Sequence, residues 1–336
     1  MFEFLETIHM QAMDADRIPY LLAAILLTVV FGMITGPTHG NANPFLWWVL
    51  DSIFGRFGDR MDNPDRPRGD LLFRGFFLCV VLLFVSGVLG RFLLLTSYAE
   101  VLVLSLFITS GSVWFIMLRL FFAMDQGGGI EGAYYGLSRS SRVDLNSTDD
   151  FGIVRTSMGY SAVAFDKGMV APSVWYLIGG LPFVFIYCVL SFFAWRFGKC
   201  GHGSGFAAVP LVLEKLMGYV PSLFAGVLLT AASAVTPTAR ITKAFGAWWR
   251  VKNFVPYEQG GIVVSAMAWP LEVSLGGAVK DISGYSLRNV WIGAKDSSAR
   301  INRNHLKRAI FMNVISLLLF VLSLLSAYIY AGKMGW

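Results

Sequence analysis

A small group of ionisable residues in the polar segments of the sequence has the side chains needed to bind an anion or a metal ion. Arg142 and Asp144 lie close together, and Arg155 follows eleven residues after Asp144. Arginine binds phosphate and carboxylate groups in a bidentate manner, and carboxylates hold the magnesium that accompanies ATP chemistry. Asp166 and Lys167 form a second candidate pair at the mouth of an apolar segment. The alternatives are a solvated loop for the first group and a charged anchor at the membrane surface for the second.

Two further motifs are weaker indications of chemistry. Gly127 to Gly132 fits the pattern G-x-G-x-x-G, but a dinucleotide site needs a strand before this pattern and a helix after it. Here the glycines follow an apolar segment, which favours a loop. Cys200 and His202 offer two metal ligands, fewer than a closed metal site requires.

The elements that position these residues follow from the composition. The chain has 336 residues, of which 56% are hydrophobic and 14% are charged, whereas soluble domains carry about 25% charged residues. The charges cluster between long uncharged stretches, which excludes a water-soluble enzyme. The strands of an outer-membrane barrel would alternate polar and apolar residues instead. We therefore predict an all-α, polytopic helical membrane protein that forms a single integral membrane domain over residues 1–336.

Apolar windows predict the number of spans, because crossing about 30 Å of hydrocarbon takes about 20 apolar residues. About six transmembrane helices are predicted, over Ile18–Ile34, Gly75–Gly90, Val101–Leu118, Val170–Trp195, Leu216–Ala239 and Ala309–Gly332. The stretch Gly260–Leu271 is too short to cross and is predicted to be a re-entrant or buried helix. Segment 41–57, which contains Trp47 and Trp48, is predicted to lie in the membrane interface.

The distribution of Lys and Arg predicts the orientation. These residues are concentrated in three segments, at about 35–70, 125–169 and 237–308, which we therefore place in the cytoplasm with both termini outside. The same bias explains the net charge of +6 without a nucleic-acid partner. Residues 196–215 are predicted to lie on the opposite side, where Glu214 and Lys215 form a local ion pair. No cleavable signal peptide is expected, since acidic residues stand where a basic n-region would be.

The run RTSMGYSAVAFDKGMVAPSVWYLIGGLP, from Arg155 to Pro182, resembles the central signature of the CobD/CbiB membrane proteins of cobalamin biosynthesis. The matching positions are Arg155, Gly168, Val170, Ala171, Pro172, Trp175, Gly179, Gly180, Leu181 and Pro182. Shorter islands agree in order and spacing, at Asn43-Pro44, Tyr219-Val220-Pro221, Ala266-Met267-Ala268 and Leu275-Gly276-Gly277. The resemblance covers most of the chain.

The resemblance implies an adenosylcobinamide-phosphate synthase-like reaction, which joins a corrinoid carboxylate to aminopropanol phosphate with ATP and Mg²⁺. This reaction would take place at the cytoplasmic face of the bacterial inner membrane. By analogy, Arg142, Arg155 and Lys167 would bind substrate, and Asp144 and Asp166 would be the catalytic carboxylates. The structural motif of the family would be retained in Gly168, Pro172, Gly179, Gly180, Pro182, Pro221, Gly276 and Gly277.

The chain departs from the family pattern at the polar positions. The acidic and amide residues of the central run and a later aspartate pair are replaced by Gly159, Val163, Ala164, Lys167, Glu214 and Lys215. These departures support an alternative, a non-catalytic relative with a sensing or assembly role, similar to the AmpE-type membrane proteins. The glycines and proline that interrupt the fourth span suggest a transporter as a third hypothesis, but no second broken span pairs with it.

Reporter fusions test the predicted orientation. Fusions after residues 66, 145 and 255 should report a cytoplasmic location and a fusion at residue 336 an external one, because loops rich in Lys and Arg stay inside. Paired phosphatase and fluorescent-protein reporters measure this. A cytoplasmic C-terminus would overturn the orientation.

Overall fold

Helices dominate the computed structural model, which describes residues 17–63, 65–93, 97–124, 134–146, 148–198, 205–250, 260–282 and 290–334. The α-helices are α1 (Arg17–Thr35), α2 (Phe45–Leu50), α3 (Arg56–Met61), α4 (Arg68–Leu93), α5 (Ser97–Ser105), α6 (Gly111–Ala123), α7 (Tyr135–Ser141), α8 (Asp150–Phe165), α9 (Ala171–Phe197), α10 (Ala208–Ser233), α11 (Ile241–Arg250), α12 (Gly261–Ala268) and α13 (Arg303–Met334). Two π-helical segments, Asp51–Gly55 and Asp166–Val170, join α2 to α3 and α8 to α9.

A short antiparallel hairpin is the β-structure of the described residues. Strand β1 (Leu275–Gly277) pairs with β2 (Val290–Ile292). Gly276 lies opposite Trp291 in this register, and β1 packs against α8. The hairpin therefore lies beside the helix that carries Arg155.

Five helical segments in the described part of the chain are long and apolar enough to cross a membrane. They are Arg17–Thr35, Arg68–Leu89, Asp150–Phe197, Ala208–Ser233 and Arg303–Lys333. The predicted class, an all-α polytopic membrane protein, is confirmed. The short helix predicted within Gly260–Leu271 is also present as α12, which is mostly buried and packs against α8 and α10.

The predicted third span, Val101–Leu118, is divided in the structure between α5 and α6. Both halves pack along α1, and at Gly32 a Cβ would lie 2.4 Å from Ser112 N, so α6 approaches α1 closely. Thr109 lies in the break between the two helices, and its N–H donates to Gly168 O at 2.8 Å. The break thus brings polar backbone groups to the junction between α8 and α9.

The chain reverses direction at Gly180, so the helical stretch from α8 through α9 is a hairpin. Tyr160, on the outgoing arm, donates its hydroxyl to Asn43 Oδ1 at 3.0 Å. Asn43 Nδ2 and Trp195 Nε1, the latter on the returning arm, donate to the same Ser140 O at 2.9 and 2.7 Å. A straight helix would separate residues 160 and 195 by about 52 Å. These shared contacts therefore require the reversal.

Gly180 permits the reversal through its backbone conformation. Its φ of 66° and ψ of −161° belong to a region that is essentially restricted to glycine. Pro182 begins the returning arm, where its fixed φ suits the first turn of a helix. The prediction of one span over Val170–Trp195 is therefore wrong. Crowding does not require glycine at this position, since a Cβ on Gly180 would meet nothing nearer than Arg17 Cζ at 3.6 Å.

The reversal also determines the side on which α9 ends. Arg196 Nε lies 2.7 Å from Asp51 Oδ1, and its Nη2 lies 2.6 Å from Asp59 Oδ2. The prediction that segment 196–215 lies opposite segment 35–70 is therefore wrong at Arg196. Glu214 does not pair locally either, because its Oε1 lies 3.1 Å from Lys167 Nζ.

Other sequence predictions concern segments between the spans. Helix α8 occupies Asp150–Phe165, which the sequence assigned to the loop at 125–169. The glycine motif at Gly127–Gly132 and the Cys200 and His202 pair lie outside the described residues.

Gly180→Ala tests the backbone requirement. Space exists for the added methyl group, so any loss reports the conformation itself, which costs about 1–3 kcal/mol for a residue with a Cβ. We expect a lower melting temperature in detergent, measured by intrinsic fluorescence. Gly87→Ala in α4 is the control: no atom lies within 4 Å of its added Cβ, and alanine favours the helix. Equal melting temperatures for Gly180→Ala and wild type would contradict this account.

Asp62, at the end of α3, provides a pH test. Burial raises the pKa of Asp62 from 3.8 to about 6, and the nearby Asp59 adds to this effect while Arg196 opposes it. The unfolded chain loses this proton first, so stability falls as the pH rises from about 4 to about 6. Asp62→Asn should therefore raise the melting temperature at pH 7 and have little effect at pH 4. Asp65→Asn in the exposed turn is the control, and a pH-independent difference for Asp62→Asn would contradict the assignment.

Candidate functional site

A cavity of about 220 Å³ lies between the two arms of the α8–α9 hairpin and the segments packed against them. The hairpin contributes Arg155, Thr156, Gly159, Tyr160, Val163, Ala164, Lys167, Gly168, Ser191, Ala194 and Trp195. Asn43, Pro44, Trp47, Thr109, Ser140, Ser141 and Val143 line another side, and Val264, Gly276, Gly277, Val279, Val290 and Ile292 complete the wall. The cavity is therefore built from segments that are far apart in the sequence.

Arg155 is one of the two predicted substrate-binding residues that line the cavity. Its Nη1 donates to Ala299 O at 2.8 Å, and its guanidinium lies 5.3 Å from the centroid of the Trp291 ring. Asp149 Oδ1 is 3.6 Å from Nη2. These contacts fix the planar group on the cavity wall, where it can bind an anion.

Lys167 is the second predicted cation on the cavity wall, in the π-helical segment between the two helices. Its ammonium group lies 3.1 Å from the carboxylate of Glu214 on α10, and the Glu214 side chain is fully buried. A buried charge is costly unless it is paired. The pair therefore allows a charged side chain to remain inside the helix bundle and links the hairpin to α10.

The two predicted catalytic carboxylates do not line the cavity. Asp166 is buried beside Lys167, and its Oδ2 accepts a hydrogen bond from Ser222 Oγ at 2.5 Å. Asp144 Oδ1 accepts hydrogen bonds from the backbone and side-chain nitrogens of Asn146 at 3.1 and 3.0 Å, as in an Asx turn. Asp144 thus shapes a turn, and the geometry does not support the catalytic role predicted for either carboxylate.

Arg142, the third predicted cation, supports the cavity from behind its wall. Its Nη2 lies 3.4 Å from Asp281 Oδ2, and its guanidinium lies 5.7 Å from the centroid of the Trp195 ring. Burial lowers the pKa of Arg142, the charge of Arg196 acts in the same direction, and Asp281 opposes both. The backbone of Arg142 also accepts a hydrogen bond from Ile282 N. Arg142 therefore holds the α7 turn against residues 280–282.

Sequence reasoning missed the neutral polar residues of the site. Ser140 accepts hydrogen bonds from both Asn43 and Trp195, and Asn43 accepts one from Tyr160. The match at Asn43-Pro44 was the available signal for one of them. Trp47 was predicted to lie in the membrane interface, but its side chain is 4% exposed and lines the cavity. Trp47 therefore packs inside the protein, and the location of segment 41–57 in the membrane interface stays a prediction.

The glycines and prolines predicted as the structural motif lie where helices contact each other, on the cavity wall and at the chain reversal. Gly168 faces Thr109, whose Cγ2 would be 2.4 Å from an added Cβ. Gly276 and Gly277 have φ values of 84° and 101° and line the cavity with backbone alone. Among the other positions, Pro172 lies in the first turn of α9, Gly179 precedes the reversal, and Pro221 is buried inside α10. These residues shape the walls and the turn.

The donor set does not fit a magnesium ion held by the protein. Mg²⁺ prefers carboxylate oxygens, and no Asp or Glu is among the described residues that line the cavity. Within the described ranges, no three His, Cys, Asp or Glu side chains come together as potential metal ligands. Nearby Asp166 and Glu214 are engaged with Ser222 and Lys167.

Comparisons with known proteins give relatives with one shared description. A protein of Brucella anthropi described as "Cobalamin biosynthesis protein CobD" is 26% identical over 251 residues, which cover 70% of this chain and 76% of the relative. A protein of Rhizobium meliloti with the same description is 28% identical over 184 residues, covering 50% and 56%. A third, from a Sinorhizobium species, is 27% identical over 182 residues, with the same coverage. No solved structure matches the chain.

The family comparison covers the whole site. The model of the family described as "CobD/Cbib protein" matches residues 21–313, a range that contains both arms of the hairpin, the β-hairpin and most of the long helices. The resemblance inferred from the run between Arg155 and Pro182 is thereby confirmed. The chain belongs to the CobD/Cbib protein family.

Proposed function

We propose that this protein acts in cobalamin biosynthesis as an adenosylcobinamide-phosphate synthase-like protein, which binds a corrinoid and aminopropanol phosphate. Its family and the description of its relatives support the pathway. The observation that supports the choice of ligand is the presence of Arg155 and Lys167 on the wall of one cavity. The guanidinium of Arg155 favours an anionic ligand, and the ammonium group of Lys167, beside its partner Glu214, adds hydrogen-bond donors.

The rest of the wall favours an anion with a short organic chain. Trp47, Tyr160 and Trp195 add flat, largely apolar surface. A phosphate group suits the planar fork of Arg155 and the N–H donors of Lys167. Aminopropanol phosphate combines such a group with a three-carbon skeleton, so it matches both parts of the wall.

The volume of the cavity separates the roles of the two substrates. A cavity of about 220 Å³ suits a small molecule. A corrin macrocycle is much larger than this. We therefore assign the cavity to aminopropanol phosphate, with the corrin ring at its mouth and one carboxylate arm reaching inward.

The alternative is binding without catalysis. The described lining residues include no carboxylate to act as a base or to hold a metal ion, so ATP and Mg²⁺ remain expectations from the family resemblance. This observation favours the alternative hypothesis, a non-catalytic relative similar to the AmpE-type membrane proteins that binds the ligand for sensing or assembly. Both readings share the same anion-binding cavity.

The location is proposed on similar grounds. The apolar helices and the bacterial relatives support the inner membrane. Most residues that line the cavity belong to the segments that the charge bias assigns to the cytoplasm, so we propose that the ligand enters from that side.

Arg155→Lys tests the ligand assignment. Lysine keeps the charge but cannot reproduce the planar fork, and losing a hydrogen bond to a charged group costs roughly 1.5–3 kcal/mol. We expect aminopropanol phosphate to bind at least about tenfold more weakly, measured by titration calorimetry on the purified full chain. Arg139→Lys is the matched control, since Arg139 is outside the cavity and bonds to His39 O. Its affinity should equal that of the wild type.

The outcomes separate the readings. No detectable binding of aminopropanol phosphate by the wild type would reject the proposed ligand. Binding that Arg155→Lys leaves unchanged would keep the ligand and reject this cavity as its site. Complementation of a strain that lacks the synthase then separates the two functions: growth without added cobinamide supports catalysis, and its absence with intact binding supports the non-catalytic relative.

A further inference from the structure

Helix α11 (Ile241–Arg250) packs on the protein through small residues and exposes aromatic ones. Ala244 and Ala247 are fully buried, and Trp248 Nε1 donates to Thr230 Oγ1 at 3.0 Å. On the outer side, Phe245 is 54% exposed and Trp249 is 85% exposed. These two residues are four positions apart, so they lie on the same face of the helix.

Phe245 and Trp249 form an aromatic stripe, and the neighbouring outer face of α10 is apolar. Leu216, Val220 and Val227 are all more than half exposed, and α10 is among the helices long and apolar enough to cross a membrane. Such a face is stable in contact with lipid chains. Because α11 packs back onto α10 near its end, the stripe of α11 continues a lipid-facing surface.

Two cations, Arg240 and Lys243, lie at the N-terminal end of α11. Lys243 forms a hydrogen bond with Glu272, and Arg240 Nη1 lies 3.4 Å from the same carboxylate with its side chain 63% exposed. Tryptophan and phenylalanine with flanking cations are typical of helices that lie in the plane of a membrane interface. A stripe of this size on a water-facing loop would instead leave a large indole in water.

We propose that α11 is an interfacial helix whose Phe245 and Trp249 insert into the phospholipid bilayer at the boundary between headgroups and acyl chains. The partner is the lipid surface itself. This assignment is independent of the proposed ligand, because it rests on the outer face of the molecule.

The proposal also sets the depth of the cavity. The Trp248 ring and Ile262 of α12 both lie close to Gly226, since a Cβ added there would be 3.2 Å from the Trp248 ring and 3.5 Å from Ile262 Cγ2. Val264, two residues further along α12, lines the cavity. The cavity therefore lies close to the level of the membrane interface, where a water-soluble substrate can reach it.

Site-directed fluorescence tests this placement on the full chain in phosphatidylcholine nanodiscs. Trp249→Cys and Phe245→Cys are each labelled with an environment-sensitive nitrobenzoxadiazole probe in a Cys200→Ser background, since Cys79 and Cys188 are buried. We expect a blue-shifted emission, loss of fluorescence in acyl-brominated lipid and protection from iodide. Asp149→Cys is the control, since the Asp149 side chain is 60% exposed in a polar turn and its probe should be quenched by iodide alone.

Two results would overturn the proposal. Quenching of the probes at 245 and 249 by iodide, without an effect of brominated lipid, would place the helix in water. Disulfide-linked dimers of Trp249→Cys under mild oxidation, with no quenching by brominated lipid, would show that a second copy of the chain covers the stripe. Both labelled variants must be folded and monodisperse before either result is interpreted. We expect this, because both positions are exposed.

Discussion

The backbone reversal at Gly180 is the constraint on which the rest of the structure depends. A conformation restricted to glycine lets two apolar helical arms fold against each other, so that Lys167 and Ser191 line one cavity. In a straight helix these residues would be about 36 Å apart. The reversal also returns Arg196 to the side of Asp51 and Asp59, where the three side chains form ion pairs.

Two buried ion pairs connect the helices and loops around the cavity. Lys167 pairs with Glu214 on α10, and Arg142 pairs with Asp281 beside the β-hairpin. Removing one partner of a buried pair typically costs about 3–5 kcal/mol, because the other charge remains without compensation. These pairs therefore tie separate helices to the cavity, whose wall carries Arg155 as well as the paired Lys167.

The chain combines the scaffold of its family with an unusual set of polar residues. The glycines and prolines at the reversal, at Gly168 and at the β-hairpin serve identifiable roles in the backbone and its close contacts. The carboxylates do not reach the cavity: Asp166 accepts a hydrogen bond from Ser222, and Asp144 closes a turn. The proposed anion binding therefore rests on Arg155 and Lys167, not on the predicted carboxylates.

Local properties of the sequence were sufficient for the membrane class, the short buried helix and the cations of the site. These features can be recognised without knowledge of distant contacts, because each depends on neighbouring residues. They are the long apolar windows and the run from Arg155 to Pro182, which contains both Arg155 and Lys167. The sequence also identified the break at Gly179–Pro182, but a break does not state the direction of the next helix. That direction, the pairing of Lys167 with Glu214 across 47 positions and the burial of Trp47 were decided by tertiary structure. Each of them depends on which surfaces meet in space, and that information is spread over the whole chain.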